Sequence, residues 1–175
     1  MSHDASPRAR LALRWLTLVL PAAVFATMLL GSYVKAVYGG MSCPEWPTCM
    51  DGNIVVPLSG VQVASELMHR AAALVVVLAG AALLALILLR FREERRLLWM
   101  TLAAGGTLAV QVSLGALTIF SNLEAAVVTA HLGVATALLL ITVFIAQEAR
   151  KIIAKAGPAA PASTAPSGSA SARSE

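Results

Sequence analysis

Four long apolar stretches, at about residues 15–34, 63–89, 97–120 and 125–146, constrain this chain more than any other feature. Each is near the ~20 residues that a helix needs to cross the hydrocarbon core of a bilayer. Inside lipid every backbone polar group must be satisfied within the segment, so the stretches are expected to be helices. The third has no charged residue, and the fourth is interrupted only by His131. The first is too long for a cleavable signal peptide, and Pro21 is its only breaker. Composition agrees, since 58% of the 175 residues are hydrophobic and 13% are charged. A soluble domain carries about 25% charged residues. A disordered chain is excluded, and the expected fold class is all-α, a bundle of four transmembrane helices.

The net charge of +4 raises nucleic acid as a partner, but the positions of the basic residues answer otherwise. Arg8, Arg10 and Arg14 precede the first span. Arg90, Arg92, Arg95 and Arg96 lie between the second and third, and Arg150, Lys151 and Lys155 follow the fourth. The loop between the first two spans has only Lys35, at its membrane edge, and Ser121-Asn122-Leu123 has none. The positive-inside rule places both termini in the cytoplasm of a multi-pass cell-membrane protein. Membrane lipid is then the surrounding partner, and no nucleic acid is needed.

This reading divides the chain into three parts. Residues 1–14 form a cytoplasmic N-terminal segment. Residues 15–147 form the transmembrane domain, with an outer loop at 35–62. Residues 148–175 form a cytoplasmic tail, Ala/Pro/Ser-rich after Gly157 and expected to be disordered. A weak internal repeat is visible, because the second and fourth spans each carry a His followed by small and aliphatic residues, His69-Arg70-Ala71-Ala72-Ala73-Leu74 and His131-Leu132-Gly133-Val134-Ala135-Thr136.

His3 lies in a polar terminus and carries no role here, whereas His69 and His131 lie inside spans, where ionisable residues are rare and usually functional. Both spans run from outside to inside, and each His is about six residues into its span, roughly 10 Å deep at the helical rise. Two imidazoles at one depth on two parallel helices have the geometry of axial ligands to one haem, near the outer side of the bundle. Two His alone make a poor zinc site. The plain alternative is that each His packs by hydrogen-bonding another helix. Ala71, Ala72, Ala73, Gly133 and Ala135 leave room for a flat macrocycle.

Glu66 lies three residues before His69 and four before Arg70. One reading is an i,i+4 ion pair that makes both charges tolerable near the interface. The other sends Arg70 to a haem propionate and makes Glu66 a proton acceptor or water-positioning group. The outer loop holds the only cysteines, in Cys43-Pro44-Glu45-Trp46-Pro47-Thr48-Cys49. Outside the membrane a disulfide is the default. Its role is open between a staple above the bundle and reversible redox chemistry.

Several of these segments resemble the haem A synthase family. GSYVKAVYGGMSCPEWPTC is similar to the end of that family's first helix and its first outer loop, and SELMHRAAA to its Glu-x-x-His-Arg motif. QVSLGALTIFS and VVTAHLGVAT resemble its third helix and its His-bearing fourth helix. The resemblance covers about residues 31 to 140, in the family's order. The usual members have eight helices in two halves; this chain corresponds to one half, as in compact archaeal members. Lys35 stands where the family usually has Arg, which keeps the charge but loses the bidentate fork.

The resemblance implies an oxidoreductase that converts the C8 methyl of haem O to a formyl group, giving haem A for terminal oxidases. The family scheme is two hydroxylations followed by loss of water from a geminal diol. It implies haem (haem b, substrate haem O or product haem A) bound by His69 and His131, with Arg70 beside it. It implies a catalytic carboxylate at Glu66 and a Cys43–Cys49 disulfide. Haem O synthase and an electron donor are the expected partners. A haem held by two His has no open iron position, and one His pair must serve both substrate and cofactor haem or divide those roles between chains, so a homo-oligomer is expected. The competing readings are a membrane b-type cytochrome acting only in electron transfer, which needs the His pair but neither Glu66 nor the cysteines, and a thiol oxidase, for which a second cysteine pair is lacking.

Overall fold

The structure, a computed structural model, describes residues 5–54 and 56–155. It is all-helical, with α1 Pro7–Ala36, α2 Val61–Arg90, α3 Arg95–Phe120 and α4 Ala125–Lys155. All four are long and apolar enough to cross a membrane. Their lateral faces stay apolar and exposed, as lipid contact requires, with Leu29, Leu78 and Leu140 among the outward residues.

The helices outrun the apolar stretches where charge can still be solvated. Ser6 caps α1, its Oγ accepting from Ala9 N at 3.3 Å, and Pro7 opens the helix where a missing N–H costs nothing. Residues 7–14 of the expected N-terminal segment are therefore helical. At the other end α4 continues to Lys155, so residues 148–155 are helical rather than disordered as expected. Ala149 and Ile152 are buried in the core, and Glu148 pairs with Lys151 at 3.2 Å and Arg96 at 3.7 Å. Apolar periodicity thus carries the helix past the last charge-free residue. The rest of the tail, and His3, lie outside the described residues.

Successive helices pack as neighbours and α1 packs on α4, which closes the ring; α1 and α3, and α2 and α4, lie diagonally. The α2–α3 seam is the loosest, and a cavity of about 430 Å³ opens there, walled by Gly80, Ala81, Ala104, Gly105 and Leu108 among others. The bundle is divided along its length. The half near the termini is a dry core built on Leu13, Leu83, Ile87, Phe91, Leu97 and Ile145. The half near the α1–α2 and α3–α4 loops carries Glu66, His69, Arg70, Gln111 and His131.

Candidate functional site

The site is built from two helical hairpins, α1–α2 and α3–α4, that repeat one design. At the end of α1, Tyr33, Val34 and Lys35 carbonyls accept from the amides of Val37, Gly39 and Tyr38. At the end of α3, Leu117, Thr118 and Ile119 carbonyls accept from those of Ser121, Leu123 and Asn122. Each member of the second set is 84 residues after its counterpart in the first. The left-handed turn residue recurs too, at Tyr38 (φ 58°) and Asn122 (φ 53°).

The same offset aligns what faces the histidines. His69 is the ninth residue of α2 and His131 the seventh of α4. His69 Nδ1 donates to the Thr27 carbonyl of α1 at 3.1 Å, and an ideal Cβ at Gly31 would lie 2.9 Å from the ring's Cε1. His131 Nε2 lies 3.4 Å from the Gln111 side-chain amide nitrogen of α3, and a Cβ at Gly115 would lie 3.5 Å from its Cε1. Thr27 and Gly31 therefore correspond to Gln111 and Gly115. The two rings are carried by diagonal helices.

The hairpins differ in how they satisfy their ring nitrogens. The Thr27 carbonyl accepts from Nδ1–H of His69, which puts the lone pair on Nε2; that atom has no hydrogen-bond partner among the described residues. His131 Nδ1 and Gln111 Oε1 are both buried and have no partner among the described residues. Buried polar atoms are almost always paired, so this pair marks a place shaped for something else.

Glu66 is buried, and Arg70 Nε donates to its Oε1 at 2.8 Å, the expected i,i+4 ion pair. The rest of the Arg70 guanidinium turns to the outer loop. Nη1 donates to the carbonyls of Glu45 at 2.9 Å and Thr48 at 2.6 Å, and Nη2 to that of Cys43 at 2.9 Å. Four of these contacts leave one of the five guanidinium N–H groups free for another acceptor. Cys43 and Cys49 are joined as a disulfide, both fully buried, so Arg70 ties the closed ring to Glu66.

The loop is further braced by Glu45, whose Oε2 accepts from Thr48 Oγ1 at 2.8 Å and Gly52 N at 2.9 Å. The Gly52 amide, then the Thr48 hydroxyl, hold its carboxyl below the usual carboxylate range. Gly39 lies against the first turn of α2, where a Cβ would come within 3.0 Å of Gln62 O and Ser65 Oγ.

Glu66, His69, Arg70 and the cysteine ring thus cluster at the loop end of α2, with His131 on the diagonal helix. Of the expected small residues, Ala71 and Gly133 are exposed, Ala72 and Ala73 half-buried and Ala135 buried, while Gly31 and Gly115 are the glycines beside the rings. Thr27, Gly31, Gln111 and Gly115 are absent from the sequence-level reading. The signal available was the Leu-Gly pair in α1 and again in α3, each seven residues before a helix-ending turn residue. Among the described residues no group of three or more His, Cys, Asp or Glu could hold a bare metal ion. A family model described as cytochrome oxidase assembly protein (COX15-CtaA) matches residues 2–143. A comparison with curated proteins found no match.

Proposed function

Because the chain belongs to the cytochrome oxidase assembly protein family, a haem A synthase family with a role in building that oxidase, we propose that it is itself a haem A synthase. Its reaction is oxidation of the C8 methyl of haem O to a formyl group. The observation that carries this reading is the histidine pair: His69 with its Nδ1 tied to a backbone carbonyl, and His131 with a buried, unpartnered Nδ1. Such a donor set would hold a haem, His69 and His131 each offering one imidazole nitrogen to its iron.

Haem, when bound, supplies the iron chemistry; the chain's residues hold and orient it. The Thr27 carbonyl fixes the tautomer of His69, as partners of metal-ligating imidazoles do. Glu66 is held at Oε1 by Arg70, while Oε2 has no partner among the described residues. It is the group that accepts a proton or orients water beside His69. The remaining N–H of Arg70 is the donor for a propionate. The Cys43–Cys49 ring holds Arg70 through its carbonyls and so acts as a staple for the Glu66–Arg70 pair. Both termini are cytoplasmic, which puts the histidines in the outer half. A second copy completes the assembly, with haem O synthase and an electron donor as further partners.

The test is co-expression with a haem O source, followed by pigment extraction from the wild type and from Glu66→Ala, His69→Ala and His131→Ala. The wild type is expected to yield haem A, the Glu66 variant to retain haem O, and both His variants to lose pigment. Undiminished haem A from either His variant overturns the ligand assignment. Haem B alone in the wild type would make the protein a b-type cytochrome. A strictly monomeric protein that converts haem O would overturn the oligomer.

A further inference from the structure

We propose that Gln111 of α3 is a positioning residue that selects the tautomer of His131 and so decides whether that ring can act as a ligand. The proposal rests on the haem reading above and adds to it a residue and a mechanism of control.

The first observation is the contact of Gln111 Nε2 with His131 Nε2, 3.4 Å apart. The second concerns the other end of each group: Gln111 Oε1 and His131 Nδ1 are both buried and have no partner among the described residues. The arrangement therefore satisfies one end of each group and strands the other. With the amide nitrogen toward the ring, Gln111 donates to His131 Nε2, the proton sits on Nδ1, and Nδ1 has no lone pair to offer. A half-turn of the amide brings Oε1 to the ring instead. Nε2–H then donates to Oε1, the amide NH2 takes the place Oε1 had held, and Nδ1 carries a lone pair with no hydrogen-bond partner among the described residues. One side-chain rotation thus exchanges the amide donor at the ring for an acceptor and leaves Nδ1 as the nitrogen able to ligate a metal.

His69 has no such freedom. Its partner is a backbone carbonyl, which only accepts, so its tautomer is set once the helices pack. Gln111 occupies the position in α3 that Thr27 occupies in α1, 84 residues on. The repeat has replaced an obligate acceptor with an amide that can donate or accept. The α1–α2 histidine is the permanent ligand, and the α3–α4 histidine is the adjustable one.

Gln111→Leu removes both options, and Gln111→Glu keeps an acceptor at the same reach. Ser113→Ala, two residues on and exposed on another face of α3, serves as a control. Two measurements separate the claims. In haem-free protein with ¹⁵N-labelled histidine, nitrogen NMR reports the tautomer. Gln111→Leu is expected to shift the His131 signals and leave those of His69 in place, and Gln111→Glu to drive His131 to the Nε2–H form. Unchanged His131 signals in Gln111→Leu overturn the proposal. In haemin titration, Gln111→Leu is expected to bind about 10-fold more weakly, as loss of a partner behind a ligating imidazole does, and Gln111→Glu to restore binding. Wild-type affinity in Gln111→Leu, with binding lost in His131→Ala, overturns the proposal and leaves the haem reading standing. Wild-type affinity in His131→Ala overturns both.

Discussion

The two hairpins share a backbone plan and divide the chemistry unequally. Each ends its first helix with the same turn, sets a glycine beside a histidine ring, and places a hydrogen-bonding partner one turn before that glycine. After that turn the first hairpin runs through residues 37–60 before its second helix starts, whereas the second reaches α4 at Ala125. The extra chain holds the disulfide, Glu45 and the carbonyls that engage Arg70. Arg70 follows His69 directly; Leu132, which follows His131, is 58% exposed on the outer face. A repeated helical pair can therefore keep its histidine and differ in the polar apparatus around it, because the loop is not part of the packed repeat.

The largest expected effect breaks this contrast at Arg70. Arg70→Ala leaves the buried Glu66 carboxylate without its cation and frees three loop carbonyls. Breaking a buried pair from one side costs about 3 kcal/mol, while Leu132→Ala on the outer face costs within about 0.5 kcal/mol. Thermal unfolding in detergent measures both, and equal midpoints for the two variants would mean that the hairpins do not differ in this way. The same Arg70 variant is expected to expose the disulfide to reductant, followed by thiol labelling.

A smaller effect sharpens the comparison of the two glycines. A methyl group at position 31 meets the His69 ring at 2.9 Å, closer than atoms tolerate, and the ring is held by Thr27. Gly31→Ala should therefore cost about 1–3 kcal/mol, the range for overpacking. At position 115 the approach to His131 is 3.5 Å, an ordinary contact. Gly115→Ala should be neutral or stabilising by up to about 1 kcal/mol, since a helical glycine is replaced by the best helix former. Haem-free unfolding midpoints of the two variants test this, and a Gly115 variant as damaged as the Gly31 variant would refute it.

The smallest effect is in the outer loop. The Gly52 amide and Thr48 hydroxyl lower the Glu45 pKa in the folded loop. A group depressed on folding contributes stability that is fully present above its unfolded pKa and is lost as pH falls through the folded value. Acidification below the ordinary carboxylate range should loosen residues 45–52, read as faster amide exchange at Gly52. The amides of Ser121 and Leu123, bonded only to helix carbonyls, serve as the reference in the second hairpin. Glu45→Gln should remove the acid step.

Much of the site was legible in the residues. A histidine inside an apolar span is conspicuous because lipid makes it costly, and Glu66 and Arg70 declare themselves by i,i+4 spacing. The partners were harder to see. Thr27 acts through its backbone, which no side-chain pattern reports. Gly31 and Gly115 matter for the side chains they lack, and in an apolar helix a glycine reads as ordinary composition. Gln111 looks like a lone polar residue until α4 packs against α3. Arg70 satisfies two readings in sequence, and the fold of residues 43–49 directs most of its guanidinium to loop carbonyls.

The sequence by itself determined the four membrane-spanning helices, their order and the two histidines on the second and fourth. These follow from local quantities, namely apolar length, charge position and the price of an ionisable group in lipid. Only the tertiary structure decided that α2 and α4 lie on one diagonal, and that each ring meets a glycine and a partner 84 residues apart on the preceding helices. It also decided that one ring is held by an acceptor and the other by an amide able to donate or accept. Those outcomes depend on which faces of long, nearly uniform apolar helices turn toward one another, and contacts between helices settle that rotation where periodicity is too weak to do so.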